Sequence, residues 1–426
     1  MGLKRIIQDP DKKRIGKNFA SLSLLQIANM LLPLVTLPYL VRVLGTEKFG
    51  LVIFAQSFAV FFNLFVEFGF NLSATREVAV HRKDEPKINA IFSGVMLIKI
   101  LLVLSSFLIL SLLVFLIPRL HADWEIFLLS FGIVIGQALF PLWYFQGIEK
   151  MSVISIINVS AKLIFTVLIL FLIKDEDDYL LVPVFNSIGF IVAGLFGLYW
   201  ALRNIKLVIP RIVDMRILFL DSTNLFVSNL STSLYTYSNI IILGALTNNT
   251  LVGIYSSMEK LILAIKGLFT PLFQAIFPYL SGRNTAETVT FVKKLIRPLL
   301  LVGLLITSVI LIFAEDILNL IYNDPQINNY SDVFKILGVI AVFTALNMLF
   351  NLLFLTSLKK YRERMKIMII AGIFNVILGL VLVLKYGIYG MAITAALTEL
   401  LLLIMGAYYF YKIKNETTNY SPDRST

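Results

Sequence analysis

The chain has 426 residues, of which 58% are hydrophobic and only 15% charged, where a soluble domain averages about 25% charged. A globular interior cannot hide that much apolar surface, so lipid must be the solvent for most of the chain, and the mean hydropathy of +0.86 agrees. Cysteine is absent, which excludes disulfides and thiolate metal sites; two histidines, His81 and His121, are too few for a histidine-built metal centre; and the net charge of +11 sits in loops rather than in a patch for nucleic acid.

The first 17 residues are polar and basic, with Lys4, Arg5, Lys12, Lys13, Arg14 and Lys17. The apolar run that follows, about 24 residues, is too long for the h-region of a cleavable signal, about 7–15 residues, and is expected to be the first span. Runs long enough to cross a bilayer, about 20 residues each, fall at 18–41, 50–72, 90–117, 125–147, 152–173, 179–202, 217–244, 251–280, 296–322, 332–357, 365–384 and 388–411. These predict an all-α integral membrane protein of about twelve transmembrane helices. Of the 37 Lys and Arg, 27 fall in segments on the N-terminal side of the membrane. The outer segments hold only Arg42, Lys48, Arg119, Lys174, Lys335 and Lys385. Positive charge stays inside, so both termini are expected in the cytoplasm. The longest loops, 73–89, 203–216 and 281–295, are all on that inner side, and no soluble domain has room to form.

The two halves look related. Phe49-Gly50-Leu51-Val52-Ile53-Phe54-Ala55 opens span 2, and Val252-Gly253-Ile254-Tyr255-Ser256 opens span 8. Paired isoleucines, Ile156-Ile157 and Ile369-Ile370, reopen the fifth span of each half. Six-helix repeats are a common plan for transporters, which places the halves at 1–205 and 206–426.

Charges inside spans carry the functional signal, because each costs roughly 2.5–3.5 kcal/mol at a helix centre and must face a cavity or a partner. Four lysines, Lys99, Lys162, Lys260 and Lys266, and three glutamates, Glu67, Glu259 and Glu399, lie within spans. Lys99 and Lys162 are roughly 14 Å deep at 1.5 Å per residue, too far for their stems to reach the interface. Glu67 and Lys260 are nearer span ends, where snorkelling or pairing is easy. Glu399 is deep and has the option of pairing with a lysine. Polar residues also form stripes at helical spacing. Span 8 carries Ser256, Glu259, Leu263, Lys266 and Thr270 on one face, with Pro271 beyond them loosening the backbone. Span 7 carries Asn224, Ser228, Ser231, Tyr235 and Ser238; span 1, Asn18, Ser21 and Asn29; span 2, Gln56, Asn63 and Glu67; span 10, Thr344, Asn347 and Asn351. One such stripe is as consistent with helix–helix glue as with a cavity. Five of them, split between the halves, point to a shared polar lumen. With Arg42 at its outer rim the lumen is mildly cationic, which suits an anionic, phosphate-bearing substrate.

No nucleotide-binding, zinc-protease or nucleophile-elbow motif is present, so no cofactor is expected and the chain is expected to be a transporter rather than an enzyme. The acidic run Asp175-Glu176-Asp177-Asp178 lies in a short outer loop and is expected to be a solvated turn.

Two stretches resemble a known family. One is Leu37-Pro38-Tyr39-Leu40-Val41-Arg42-Val43-Leu44-Gly45-Thr46-Glu47-Lys48-Phe49-Gly50; the other is Phe68-Gly69-Phe70-Asn71-Leu72-Ser73-Ala74-Thr75-Arg76-Glu77-Val78-Ala79. Together they cover 26 residues between positions 37 and 79 and resemble the polysaccharide synthesis family of exporters, in particular the O-antigen flippases of the Wzx type, within the multidrug/oligosaccharidyl-lipid/polysaccharide exporter superfamily. The resemblance implies two six-helix bundles facing each other in a V, with the first and seventh helices lining the lumen. It implies a bacterial inner-membrane flippase that moves one oligosaccharide repeat unit on undecaprenyl pyrophosphate to the periplasmic leaflet. Membrane lipid is then a partner, and polymerase and chain-length proteins of the pathway act beside it; nucleic acid is not a partner. On that reading Arg42, Lys99, Lys162, Lys260 and Lys266 hold the anionic part of the substrate, while Asn29, Asn224, Ser228, Tyr235 and Asn347 bond sugar hydroxyls. Glu67, Glu259 and Glu399 balance charge or carry coupling ions. Two alternatives stand beside it. A membrane polymerase or glycosyltransferase would need outer carboxylates, which only the 174–178 loop offers. A drug antiporter of this superfamily often has an acidic first helix, and this first span has none.

Overall fold

The computed structural model describes the backbone over residues 10–419, and the side chains of that range except 10–31, 34, 224, 228, 231–232, 235, 274, 278 and 418–419. It is all-helical, with no strand among the described residues. Nine described helices are long and apolar enough to cross a membrane. Two of these, Val35–Val80 and Tyr361–Thr417, each contain a glycine break, and Thr236–Leu246 is a shorter apolar helix. The chain divides into two compact units, one of residues 1–45 and 52–230, the other of 46–51 and 231–426.

In the first unit, helix α1 (Pro10–Glu67) covers the first two expected spans. A loop is expected around 42–49, yet only Gly45 leaves helical geometry, at φ 68° and ψ 168°. That region of backbone space is open to glycine almost alone. The Tyr39 hydroxyl bonds the Leu170 and Ile173 carbonyls at 3.2 and 2.6 Å, fixing this end of α1. After Glu67 the chain turns at Phe68 (φ 42°) and Gly69 (φ 80°) and resumes as α2 (Phe70–Val80), so helix continues well into the expected loop 73–89.

The turn explains the second motif. A Cβ on Gly69 would lie 2.9 Å from the Leu225 Cβ and 3.0 Å from the Ser222 carbonyl, on α7 (Ile212–Leu246). Phe68 stacks on Phe219 and Phe226 at 4.1 and 4.5 Å between ring centres, and the Ser73 and Ser222 hydroxyls meet at 2.6 Å.

The rest of the unit is α3 (Glu85–Leu116), the broken helix α4 (Trp124–Gly147), α5 (Met151–Leu172) and α6 (Leu181–Leu202). Asp84 caps α3 by accepting from the Lys87 amide at 3.1 Å, which meets one of the donors a helix start leaves open. Small residues bring α4 and α6 together: a Cβ on Gly136 would fall 2.2 Å from the Phe190 carbonyl carbon, and one on Gly194 2.3 Å from the Gly136 oxygen. In a bilayer, such close packing substitutes for the hydrophobic drive between helices. Asp175–Asp178 fold into a short capped turn, with Asp178 accepting from the Lys174 and Asp175 amides.

The second unit holds α8 (Asn249–Ser281), α9 (Thr285–Ile321), α10 (Ser331–Ser357) and α11 (Tyr361–Asn419). Asn248 and Asn284 cap α8 and α9 through the Leu251 and Glu287 amides, each at 2.9 Å. α8 runs on through Pro271, and α11 joins the last two expected spans across Gly387 (φ 56°, ψ −130°). α10 contains a π-helical stretch at Met348–Phe354. Residues 46–51 pack with this unit: a Cβ on Gly50 would sit 1.8 Å from the Asn249 oxygen, and one on Gly253 2.0 Å from the Thr46 oxygen. The glycines singled out by the internal similarity therefore face each other.

Aromatic cores sit within each unit, around Phe70, Phe92 and Trp143 in the first and Phe273, Phe350 and Phe410 in the second. Large apolar side chains such as Leu108, Phe171, Ile312 and Leu384 point outward. Lipid is the medium in which such a surface is stable.

Candidate functional site

Each unit has a half-open cavity in which several polar side chains stand among apolar ones. The first, of about 210 Å³, lies between α1, α5 and α6. Asn158, Lys162 and Thr166 reach it from α5 at successive turns, and Asn186 and Phe190 reach it from α6. The spacing i, i+4, i+8 places each set on one helix face. The Asn158 amide donates to the Ile154 carbonyl at 2.9 Å, which leaves its oxygen as an acceptor. Gly189 and Ala193 keep the α6 wall low, and Gly189 has the Phe165 Cβ as nearest neighbour at 3.8 Å from an added Cβ.

The second cavity, of about 130 Å³, lies between α7, α8, α10 and α11. Glu259, Lys266 and Glu399 line it together with Asn239, Asn375 and Thr398. Asn239 donates to Glu259 Oε1 and to the Tyr255 hydroxyl, both at 3.3 Å. Lys266 is ion-paired with Glu399 Oε1, and Asn347 donates to the other Glu399 oxygen at 2.8 Å. Asn351 bonds Asn347 at 2.6 Å and the Leu402 carbonyl at 2.9 Å, tying the start of the π stretch to α11. Ser238 donates to Asn375 at 2.9 Å, and Asn375 to Thr398 at 3.2 Å. These bonds link the buried polar groups in a chain, although the Asn239 and Asn351 side-chain oxygens are left without a hydrogen-bond partner.

The sequence-derived candidates separate accordingly. Lys162 lines the first cavity, while Glu259, Lys266 and Glu399 converge on the second. Lys99 and Glu67 form a separate ion pair at 2.9 Å between α3 and α1, with Lys99 only 1% exposed, away from both cavities. Asn347 stands behind the second cavity as a support for Glu399. Lys260 is half-buried beside Glu259, and Arg42 is exposed within α1, three residues before the break at Gly45. The side chains of Asn29, Asn224, Ser228 and Tyr235 lie outside the described residues. In the span 8 stripe, Ser256 bonds back to the Gly253 carbonyl at 3.1 Å and is fully buried, while Glu259, Leu263 and Lys266 line the second cavity. Asn158 and Asn186 in the first cavity, and Asn239, Asn375 and Thr398 in the second, are additions from the structure. Asn158, one turn before Lys162, was within reach of the spacing argument; Asn186 and Asn375 are isolated amides in apolar runs, a signal only through the cost of burying them.

Fold and sites together define a multi-pass membrane protein, all-helical over the described residues, with a cavity bearing polar side chains in each unit. Residues 15–282 match the family model described as polysaccharide biosynthesis protein, and the chain belongs to that family. It is 30% identical over 396 residues to a protein of Escherichia coli (strain K12) named "Putative O-antigen transporter", covering 92% of this chain and 95% of that one. A protein of Shigella dysenteriae with the same name is 28% identical, covering 91% and 98%. Among solved structures, the lipid II flippase MurJ in an inward closed conformation matches with a TM-score of 0.74 at 13% identity, over 92% of this chain and 90% of that one. An inward-facing multidrug resistance MATE transporter of the MOP superfamily matches with a TM-score of 0.68 at 14% identity, over 93% and 99%. The expected MATE-like helical fold is therefore present.

Proposed function

We propose that this chain is a flippase that carries an undecaprenyl-pyrophosphate-linked oligosaccharide, an O-antigen-like repeat unit, from the cytoplasmic to the periplasmic leaflet of the bacterial inner membrane. The observation that carries this reading is the family match together with near-full-length similarity to two relatives named as O-antigen transporters. The fold likeness to a lipid II flippase fits the same cargo class, a sugar on a lipid pyrophosphate. The two polar cavities supply what such a cargo needs, hydrogen-bonding walls inside an apolar shell. The glycine breaks at Gly45 and Gly387 divide two of the long helices, which supports a count of twelve spans with both termini inside. Transport proceeds by alternating access, with no chemical step on the substrate. Lys162 and the Glu259–Lys266–Glu399 group contact or charge-balance the glycan. Polymerase and chain-length proteins take the product on the outer face.

A strain lacking the protein provides the test. A membrane-impermeant, sugar-reactive probe applied to intact spheroplasts asks which leaflet holds the lipid-linked repeat unit. The expected result is accumulation hidden from the probe. Single units that accumulate exposed would refute flipping and place the protein at a later step, as for a polymerase. Because the chain has no cysteine, Lys174→Cys and Lys206→Cys variants report topology directly: an impermeant maleimide should label the first and spare the second.

A further inference from the structure

Positive charge is spread unevenly over the inner segments. In the described ones of the first unit, 73–89, 149–150 and 203–216, nine Lys or Arg stand against five carboxylates. Arg82 there is held by Glu149 at 2.9 Å and by the Gly147 carbonyl at 2.8 Å. In those of the second unit, 281–297, 358–366 and 412–416, eleven stand against three. Lys293 and Arg297 lie one turn apart on α9, and Arg362 and Lys366 one turn apart on α11. Lys359 and Lys360 form the turn before α11. All six are exposed, and among the described residues no hydrogen bond or ion pair engages their side chains. Glu287 is taken by Arg283 at 2.9 Å, and Glu363 is half-buried. The turn itself is fixed: Lys359 sits at φ 57°, and the Lys360 amide donates to the Leu355 carbonyl at 2.8 Å, a left-handed closure of α10.

Beyond each pair of cations the same helix face turns apolar and stays exposed. The four-residue step from Lys293 and Arg297 reaches Leu301 and Leu305, each 65% exposed. From Arg362 and Lys366 the face continues through Ile370, Ile373 and Ile377, all exposed. From Lys366 to Ile377 the rise is about 17 Å at 1.5 Å per residue, close to the hydrocarbon depth of one leaflet, half of about 30 Å. The opposite faces of α9 and α11 are buried in one core, with Val292 and Leu299 in the same cluster as Ile367 and Met368. An acidic protein segment would meet the charges and leave the apolar stripes uncovered. A lipid with an anionic head and acyl chains covers both.

We propose that this end of the second unit binds anionic glycerophospholipid of the inner leaflet. The phosphate lies among Lys293, Arg297, Arg362 and Lys366, and the acyl chains lie along the leucines and isoleucines that follow on the two helices. Ammonium and guanidinium groups both donate charge-assisted hydrogen bonds to phosphate oxygens. This lipid is a resident of the membrane and not the cargo, so the inference takes from the flippase reading only the topology that names the leaflet.

The test titrates purified full-length protein, in a neutral detergent, with phosphatidylglycerol, phosphatidylcholine or geranyl pyrophosphate, and counts bound molecules by native mass spectrometry. Phosphatidylglycerol should bind at least about tenfold tighter than phosphatidylcholine, since one basic residue near an anionic surface is worth about fivefold. Lys293→Gln, Arg297→Gln, Arg362→Gln and Lys366→Gln combined should erase that preference, while Arg297→Lys with Arg362→Lys should keep it. If the fourfold variant does not yield monodisperse protein, Arg362→Gln with Lys366→Gln alone should lower the preference at least about fivefold. Arg76→Gln, Lys83→Gln, Lys87→Gln and Lys206→Gln combined, all exposed positions of the first unit, should leave it unchanged. Equal affinity for the two phospholipids would overturn the proposal and leave the charges to an acidic protein segment. A preference that survives the second-unit substitutions, or an equal loss from the first-unit set, would overturn it as well. Binding of geranyl pyrophosphate without phosphatidylglycerol would also overturn it, by giving the surface to the cargo. None of these outcomes touches the leaflet assay, whose failure would sink the flippase reading alone.

Discussion

The Lys99–Glu67 pair separates bracing from transport most cleanly. Lys99 is 1% exposed, with its ammonium 2.9 Å from Glu67 Oε1, and the Glu67 side chain is 15% exposed. The second carboxylate oxygen has no hydrogen-bond partner. Glu67→Gln keeps the shape and removes the counter-charge, so Lys99 is left buried against a neutral amide. In a soluble interior, breaking one side of a buried pair costs about 3–5 kcal/mol. In a bilayer the reference state also finds partners, and measured interhelical hydrogen bonds average about 0.6 kcal/mol with a maximum near 1.7. A charge outweighs a neutral hydrogen bond, so the expected loss for Glu67→Gln is about 2 kcal/mol, with a similar loss for Lys99→Met.

The double variant Lys99→Met, Glu67→Gln removes both charges and should lose less than about 1 kcal/mol, since no uncompensated charge is left buried. The cycle should therefore show a coupling of at least about 1 kcal/mol, within the range typical of touching residues. The measurement is the fraction of monodisperse protein remaining after heating, read for all four proteins in one detergent. Additive losses would refute the pairing. A double variant that stays folded yet no longer flips would show that the pair belongs to the transport path and not to the scaffold.

Three other expectations follow from single contacts. Glu399→Gln leaves Lys266 without its ion-pair partner and weakens the Asn347 contact, so flipping should fall at least tenfold in the leaflet assay, with a stability loss of about 1–3 kcal/mol. Gly45→Ala should cost about 1–3 kcal/mol by melting, because φ 68° with ψ 168° excludes a side chain; no atom lies near an added Cβ there, so the cost is conformational and Gly45→Asn should not rescue it. The buried Tyr322 hydroxyl donates to the Ser257 carbonyl at 2.8 Å. Tyr322→Phe should therefore lose about 1 kcal/mol, with flipping unchanged.

The helical architecture was legible because bilayer thickness sets a length rule that apolar runs either meet or do not. The charged candidates were legible for the same reason, since charge inside a span is costly and stands out. Their pairing was not. Glu67 and Lys99 lie 32 positions apart, and Lys266 and Glu399 lie 133 apart; helical periodicity orders residues within one helix and carries no information about which helices meet. The span 10 stripe shows the ambiguity of spacing directly. Thr344, Asn347 and Asn351 share a face, yet Asn347 and Asn351 serve as fasteners between α10 and α11. The glycines show a different limit. Sequence marks Gly45 and Gly387 as loop positions, but one residue in a glycine-only conformation suffices to separate two helices.

The internal similarity between the halves does not extend to their electrostatics. Composition alone gives a lumen of four lysines against three glutamates and invites the view that all four lysines act together. In the structure Lys99 is ion-paired with Glu67, and Lys266 with Glu399. Lys260 stands next to Glu259 in the chain, on the side of the molecule where carboxylates are in excess. Lys162 lines the cavity of the first unit, and Glu259, Lys266 and Glu399 line that of the second. The charge of each cavity is therefore tested within its own unit: Lys162→Glu should lower flipping of an acidic repeat unit more than Lys162→Gln does. Equal rates in the two variants would show that the shape of this side chain, and not its charge, acts on the cargo.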